Sequence, residues 1–346
     1  MKAAYAKGGF RFDIRDVPIP APAEGEVLVK VHACGVCGTD MHFARDWPDD
    51  FMPLGHEIAA EVVETGHGVT AYKPGDKVIV EDVGMCGVCV HCKNGEYYRC
   101  RNNYTLNGQP GMAEYMVVSE HLLDRFDGLE WAHASLVEPL AVGLNTVLHA
   151  EIPLAGDVVV YGPGPIGLMC VRVAKLQGAA RVALVGYCCR TPREAKRMEV
   201  GRAFGADCIV DAAEGDPVEQ VKSLFDGGVD RVIVTTPPRT LPSAVRMVKF
   251  GGLVSFIGIH LGGQSTAELD VNDLIFNKVT LRPTYAEPAV KFPVSIRLLQ
   301  EGMVDAGKLV THTFGFADLE RVMRANESGE EPIVKPVLMP GKTGRD

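Results

Sequence analysis

Short apolar runs punctuated by glycine and proline recur along the chain, and their spacing changes with position. In GDVVVYGPGPIGLMCVRVAKLQGA (156–179), a continuous apolar run from Val158 to Tyr161 meets a glycine-rich turn, then apolar positions at a period near 3.6 that end at Gly178. This pattern predicts a buried strand followed by a helix. Pro165 suits the first helical turn, where its missing N–H is not needed. Further strands are predicted in RVALVG (181–186), at Cys208–Val210, at Arg231–Val234 and at Leu253–Ile259. Strands that alternate with helices in this way build a doubly wound parallel sheet. From about Glu287 helical periodicity resumes, with a glycine-ended helix, a second helix capped by Asp318 or its neighbour, and PIVKPVLMP as a final strand edged by prolines.

A chain of 346 residues exceeds one ordinary core, so two domains are expected. Acidic residues outnumber basic ones 44 to 35 without a basic run, which argues against nucleic acid as a partner. MKAAYAKGGFRFDIRD carries charges where a signal peptide needs an apolar core, and no apolar stretch of about 18 residues is present to cross a bilayer. The expectation is a soluble, cytoplasmic protein with no membrane partner, whose ten cysteines serve metal or thiolate chemistry rather than disulfides.

Four of those cysteines lie in CGVCVHCKNGEYYRC: Cys86, Cys89, Cys92 and Cys100. Two-residue loops aim consecutive thiolates into one tetrahedron and the seven-residue arm closes it, which suits a structural zinc with no open position. An iron–sulfur cluster, whose usual spacings differ, and free buried thiols are the alternatives. A second set of donors is dispersed through CGVCGTDMH (34–42), PLGHEIAAEVVETG (53–66) and LVEPLAVGLNTV (136–147). Cys37, His56, Glu57 and Glu138 supply sulfur, nitrogen and oxygen donors, the mixture expected of a catalytic zinc that keeps a place open for water or substrate, but sequence distance alone does not join them. Singly each has a plain reading, as a core thiol, a turn histidine or a helix-start carboxylate.

The order of Cys37, Gly55-His56-Glu57, the four-cysteine lobe and then the glycine-rich turn resembles the zinc-dependent medium-chain alcohol and polyol dehydrogenases, from GEVLVKVHACGVCGTD to LERVM. The resemblance implies an α/β protein with a GroES-like, β-rich catalytic domain at 1–150 and 287–346, a structural zinc lobe at 84–103, and a Rossmann coenzyme domain at 151–286. It implies two zinc ions per chain. Glu138, in Glu-Pro-Leu-Ala, stands where ethanol-type members have cysteine, as in sorbitol and threonine dehydrogenases. In that subgroup either glutamate reaches the metal directly or through water, which leaves Glu57 and Glu138 open. The resemblance also implies a proton relay from substrate through the Thr39 hydroxyl and the nicotinamide ribose to His42 at the surface, with Asp40 accepting the ring N–H of His56.

Gly162, Gly164 and Gly167, with Pro165 and Ile166 between them, form the G-x-G-x-x-G turn of a dinucleotide site, here with the required strand before and helix after. In NAD-specific members an acidic residue closes the second strand; that position is Gly186. A carboxylate there would repel a 2′-phosphate by about 4 kcal/mol at 4 Å and an effective dielectric near 20. Its absence, with Arg190 and Arg193 following, favours NADP over NAD, whereas Arg197 is assigned to a solvated helix face. Cys188 and Cys189 read as small packed or exposed thiols and not as a third zinc site. The segment Arg45–Phe51 is expected to edge the substrate pocket. The predicted function is zinc-dependent hydride transfer between NAD(P) and a polyol, cyclitol or sugar, by a homodimer or homotetramer. The rivals are a threonine dehydrogenase, a simple secondary-alcohol dehydrogenase and a non-enzymatic binding protein.

Overall fold

The computed structural model describes residues 1–47, 50–260, 265–285 and 291–342. The chain divides into two compact units, Met1–Ala141 with Ala286–Ser328 and Lys335–Asp346, and Val142–Tyr285 with Gly329–Val334. The division falls inside the helix Val137–His149 rather than at residue 150, because that helix continues without a break from one unit into the other. The expected second boundary, at 287, lies outside the described residues.

The second unit is a six-stranded parallel sheet. Its strands in chain order are Asp157–Tyr161, Arg181–Gly186, Cys208–Asp211, Val229–Val234, Val248–Phe256 and Thr280–Pro283. Their spatial order is third, second, first, fourth, fifth, sixth, which is that of a Rossmann sheet. Val158, Val159, Val160, Val182, Ala183, Leu184, Val232 and Ile233 are all fully buried. A parallel sheet covered by helices on both faces needs such unbroken apolar strands, which explains why these segments do not alternate. The fifth strand starts at Val248 instead of Leu253, across a register irregularity between Val229 and Arg231 of its neighbour.

The first unit is β-rich. Its main sheet runs in the order Leu123–Arg125, Lys77–Val80, Glu57–Thr65, Glu26–Gly35, Lys335–Leu338, Val310–Phe314, with Tyr115–Ser119 also paired to Glu26–Gly35. A smaller sheet joins Arg11–Asp16, Lys2–Lys7 and Met52–Pro53. The strand Lys335–Leu338 is fully covered and holds the proline-edged segment between two others, antiparallel to Glu26–Gly35 and parallel to Val310–Phe314. Helices Phe292–Gln300 and Leu319–Ser328 occupy the segment expected to be helical, the second preceded by a 3₁₀ turn at Phe316–Asp318.

Candidate functional site

Three strands of the first unit converge on one point. In the antiparallel pairing of Glu26–Gly35 with Glu57–Thr65, Gly35 stands opposite Glu57, and Val337 stands opposite Gly35 on its other side. The chain after Gly35 carries Cys37 into the N-cap position of the helix Gly38–Asp46. The turn before Glu57 carries His56, and it depends on Gly55 at φ +88°, where a Cβ would meet the Cys34 Sγ at 2.5 Å and the Met112 nitrogen at 2.7 Å. Strand register thus brings together donors about twenty residues apart. Ligand atoms of Cys37, His56 and Glu57 all lie within 4.8 Å of one another.

Burial works against a charged His56, but Cys37, hydrogen-bonded to it, outweighs this and raises its pKa well above the ordinary histidine value. Sulfur, imidazole nitrogen and carboxylate oxygen brought this close are the mixed donor set of a zinc site, so the set fits zinc. Glu138, in the first turn of Val137–His149, is buried but falls outside the three-residue group. Burial pushes its pKa up to about 8, against the pull of His56, with Asp82 and Glu57 adding to the rise. Of the two glutamates left open by the sequence, Glu57 is the one within reach of both Cys37 and His56.

Asp40 has a different hydrogen-bonding pattern from the expected one. One carboxylate oxygen accepts the Cys37 N–H and the other the Gly55 N–H, each at 2.8 Å. Asp40 therefore ties the cysteine loop to the histidine turn through their backbones. Thr39 sits with its hydroxyl 3.8 Å from the Cys37 Sγ. His42 was expected at the surface, yet it is only 6% exposed because it lies on the inward face of its helix. Its Nδ1 lies 3.2 Å from an Arg45 guanidinium nitrogen and 3.3 Å from the Asp46 carboxylate, and both of those residues are exposed. Within Arg45–Phe51, Pro48 and Asp49 lie outside the described residues; Trp47 packs edge-on against Phe43, with ring centres 5.3 Å apart.

Sequence reasoning missed Lys335. Its ammonium is 2% exposed, pairs with the Glu57 carboxylate, itself 1% exposed, and donates to the Val36 carbonyl at 2.8 Å. Burial opposes its charge, but Glu57 and Cys37 more than compensate and raise its pKa. No motif marks this lysine, because the contact exists only once the strand Lys335–Leu338 lies beside Glu26–Gly35.

In the lobe, the sulfurs of Cys86 and Cys92 are 4.0 Å apart and those of Cys89 and Cys92 3.6 Å. A zinc tetrahedron with bonds of about 2.3 Å requires sulfur separations of about 3.8 Å; these two separations match it, and all four sulfurs, that of Cys100 included, lie within 4.8 Å of one another, so the set fits the ion. Backbone N–H groups, that of Cys92 foremost, lower the Cys89 thiol to about 6 and favour the ligating thiolate.

The coenzyme unit presents the glycine turn after its first strand, next to the point where the strand order reverses. Gly162 adopts φ +122°, and a Cβ there would meet the Thr235 hydroxyl at 2.6 Å. Gly164 has open space around it and caps the helix Pro165–Leu176, leaving room for a pyrophosphate at that N-terminus. At Gly186 a Cβ would meet the ring of Pro163 at 2.6 and 2.7 Å and the Met198 methyl at 3.1 Å. The position closing the second strand excludes any side chain as well as lacking a carboxylate.

The arginines behind it separate. The Arg190 guanidinium lies 4.6 Å over the ring of Tyr187. Arg193 donates its backbone N–H to Gly329 and begins the helix Pro192–Ala203. Arg197 is not on a solvated face. It is half-buried, its Nε has no hydrogen-bond partner, and burial, aided by Arg193, lowers its pKa to about 10. Cys188 is held near the second strand by its N–H to Asp211, and Cys189 is exposed at φ +60°. Among the described residues no helix is long and apolar enough to cross a membrane.

Comparison with known proteins agrees with this architecture. The family model described as the alcohol dehydrogenase GroES-like domain matches residues 23–126, and that described as zinc-binding dehydrogenase matches residues 165–301. The chain is 33% identical to an L-threonine 3-dehydrogenase of Pyrococcus horikoshii over 94% of its own length and 95% of the relative's. It is 29% identical to a sorbitol dehydrogenase of Bacillus subtilis over 99% and 98% of the two chains. The crystal structure of 2R,3R-butanediol dehydrogenase from Bacillus subtilis superposes with a TM-score of 0.84 at 30% identity, covering 98% of this chain and 99% of that one. With a GroES-like unit and a Rossmann unit matched by these family models and a relative at 33% identity over nearly its whole length, the chain belongs to the zinc-type medium-chain dehydrogenases and is an oxidoreductase of the alcohol dehydrogenase class.

Proposed function

We propose that the protein oxidises a secondary hydroxyl of a polyol, cyclitol or sugar with NADP, using Cys37, His56 and Glu57 as the donors of a catalytic zinc and the four-cysteine lobe for a structural one. The observation that carries this reading is the convergence of those three donors, two of them partly buried and the third, a carboxylate, fully buried, on one point. Zinc held there would supply Lewis acidity that favours the alkoxide form of the alcohol, and a nicotinamide coenzyme on the glycine turn would supply the hydride acceptor. Asp40 holds the cysteine and histidine loops at a fixed separation. Thr39, beside the Cys37 sulfur, accepts the alcohol proton while its own hydroxyl proton passes toward the nicotinamide ribose that would be bound there, and His42, whose Nδ1 lies by the exposed Asp46 carboxylate, receives it for release to water.

NADP is favoured because Gly186 admits no acidic side chain and Arg190 is held on Tyr187, the next residue after it. Threonine is the second candidate substrate, favoured by the relative of that activity at 33% identity. A homodimer or homotetramer in the cytoplasm completes the proposal. Its support is the outermost strand Thr280–Pro283 with Phe250, Ile275 and Phe276 exposed in the same unit. The test is oxidation of a panel of polyols, cyclitols, sugars, threonine and simple secondary alcohols with each cofactor, alongside metal analysis. Two zincs per chain and polyol turnover faster with NADP are expected. A single zinc, or turnover of threonine alone, overturns the reading.

A further inference from the structure

Two of the cysteines outside the metal-donor sets are neighbours in the chain. Cys188 is half-buried and Cys189 exposed, in the loop between the strand Arg181–Gly186 and the helix Pro192–Ala203. That loop is anchored on both sides of them. The Cys188 N–H donates to the Asp211 carboxylate at 3.3 Å, and the Arg190 and Thr191 N–H groups donate to the Glu194 carboxylate at 2.9 and 3.2 Å. Between these anchors Cys189 holds φ +60°, a left-handed conformation unfavourable for a residue with a Cβ. The chain doubles back there, and the Arg190 guanidinium lies over the ring of Tyr187. The two cysteines are the residues that join the halves of this stack.

The two thiols differ in reactivity. The Cys188 sulfur turns back toward the Gly186 carbonyl at 3.7 Å, and burial, then Asp211, pushes its pKa up to about 11. Alone it supplies little thiolate at neutral pH. Cys189 is open to solvent, so an oxidant meets it first. We propose that Cys188 and Cys189 form a modification site: exchange with a small disulfide such as glutathione disulfide closes them into a vicinal disulfide, which parts Arg190 from Tyr187 and weakens binding of a 2′-phosphorylated coenzyme. In the first step the Cys189 thiolate bonds to one sulfur of the oxidant, whose other half leaves as a thiolate. In the second, Cys188 loses its proton, attacks the Cys189 sulfur and expels the remaining half. Two electrons pass from the cysteines to the oxidant, and the two cysteine protons complete its two free thiols. The second step is intramolecular, so a small thiolate fraction of Cys188 suffices.

The Cα atoms of adjacent residues lie about 3.8 Å apart, below the range of about 4.4–6.8 Å in ordinary disulfides, so the ring is strained and readily reduced again. It also encloses the peptide group that joins the two residues, which prefers a planar trans form. Closing the ring therefore redraws the backbone in the turn that sets Arg190 on Tyr187.

This inference rests on the reading of Arg190 as a contact to the 2′-phosphate. The test treats the purified holoprotein with glutathione disulfide, weighs its proteolytic peptides and titrates it with NADPH and NADH by fluorescence. The peptide holding Cys188 and Cys189 should lose two hydrogens and regain them with dithiothreitol. Cys188→Ser should stop at the first step and carry one glutathione on Cys189, and Cys189→Ser should carry none on that peptide. Oxidation should weaken NADPH binding by about ten-fold or more, the loss of one charge-assisted hydrogen bond, with NADH binding unchanged. No loss of the two hydrogens, a ring that leaves NADPH affinity as it was, or the same fall in affinity in Cys189→Ser overturns the proposal. A reduced natural chain that binds NADPH no tighter than NADH overturns instead the coenzyme reading beneath it.

Discussion

Gly186→Asp is the substitution that a simple account of coenzyme choice would use to turn the protein toward NAD. The structure predicts that it fails. A Cβ at 186 would lie 2.6 and 2.7 Å from two carbons of the Pro163 ring, against an ordinary carbon–carbon contact of about 3.5–4.0 Å. The Met198 methyl, at 3.1 Å, is the end of a flexible side chain and can yield. Pro163 is a rigid ring between Gly162 and Gly164, so relief must come from moving the turn meant to carry the pyrophosphate. Overpacking of this kind costs about 1–3 kcal/mol, and about 2–4 °C of Tm per kcal/mol in a domain of this size. The new carboxylate adds about 4 kcal/mol against a 2′-phosphate at 4 Å and an effective dielectric near 20. Thermal melts and fluorescence titrations with both cofactors measure the two parts, and Gly186→Ala isolates the steric one. Gly186→Asp should melt earlier and bind NADP far more weakly without gaining NAD affinity. A variant with the natural Tm and tighter NAD binding would refute the argument.

Glu81, 3% exposed, faces the Asp124 carboxylate, and burial followed by Asp124 raises its pKa far above the carboxylate range. A folded-state pKa above the unfolded one means that folding takes up a proton. The stabilising contribution is complete below about pH 4.3 and declines as pH rises through the folded value. Tm should therefore fall from mildly acidic to alkaline pH, and Glu81→Gln, which mimics the protonated acid, should flatten that slope; an unchanged slope excludes the pair as its source. Thr39→Val should reduce kcat by about 10²–10⁴-fold with zinc content unchanged, and loss of zinc would show a structural role instead. Asp40→Ala removes acceptors from two backbone N–H groups, each worth about 1.5–3 kcal/mol when the acceptor is charged. It should speed release of the catalytic zinc while leaving the lobe zinc in place, as timed chelation would show.

Legibility in the sequence followed distance along the chain. The apolar runs of the coenzyme unit could be read directly because a parallel sheet buries both faces of its strands. The cysteines of the lobe lie within fifteen residues, so their spacing alone describes a tetrahedron. Cys37, His56 and Glu57 could be joined only through family resemblance, since their proximity comes from the register that sets Gly35 opposite Glu57. Glu138 could not be ranked below Glu57 from the sequence, because both are glutamates next to apolar runs. His42 was placed at the surface by the resemblance alone, and helical rotation, which the sequence segment did not reveal, turns the imidazole inward. Arg197 followed the same logic in reverse: a basic residue in a charged helix looks solvated, and only the packing of that helix shows its Nε covered. Lys335 and the Glu81–Asp124 pair left no trace in any local pattern.

The place of the strand Lys335–Leu338 has a consequence for how the molecule is made. It completes the first unit's sheet against Glu26–Gly35, whose last residue was synthesised 300 residues earlier. At ribosomal rates of about 5–20 residues per second, that strand waits about 15–60 s for its neighbour. During that interval Glu57 has no Lys335 to pair with, and the sheet on that side of Gly35 stays open until the whole second unit has been made. Closing the first unit is therefore among the last events of synthesis, and a truncation that removes Lys335–Leu338 would leave the first unit's sheet open beside Cys37 and His56.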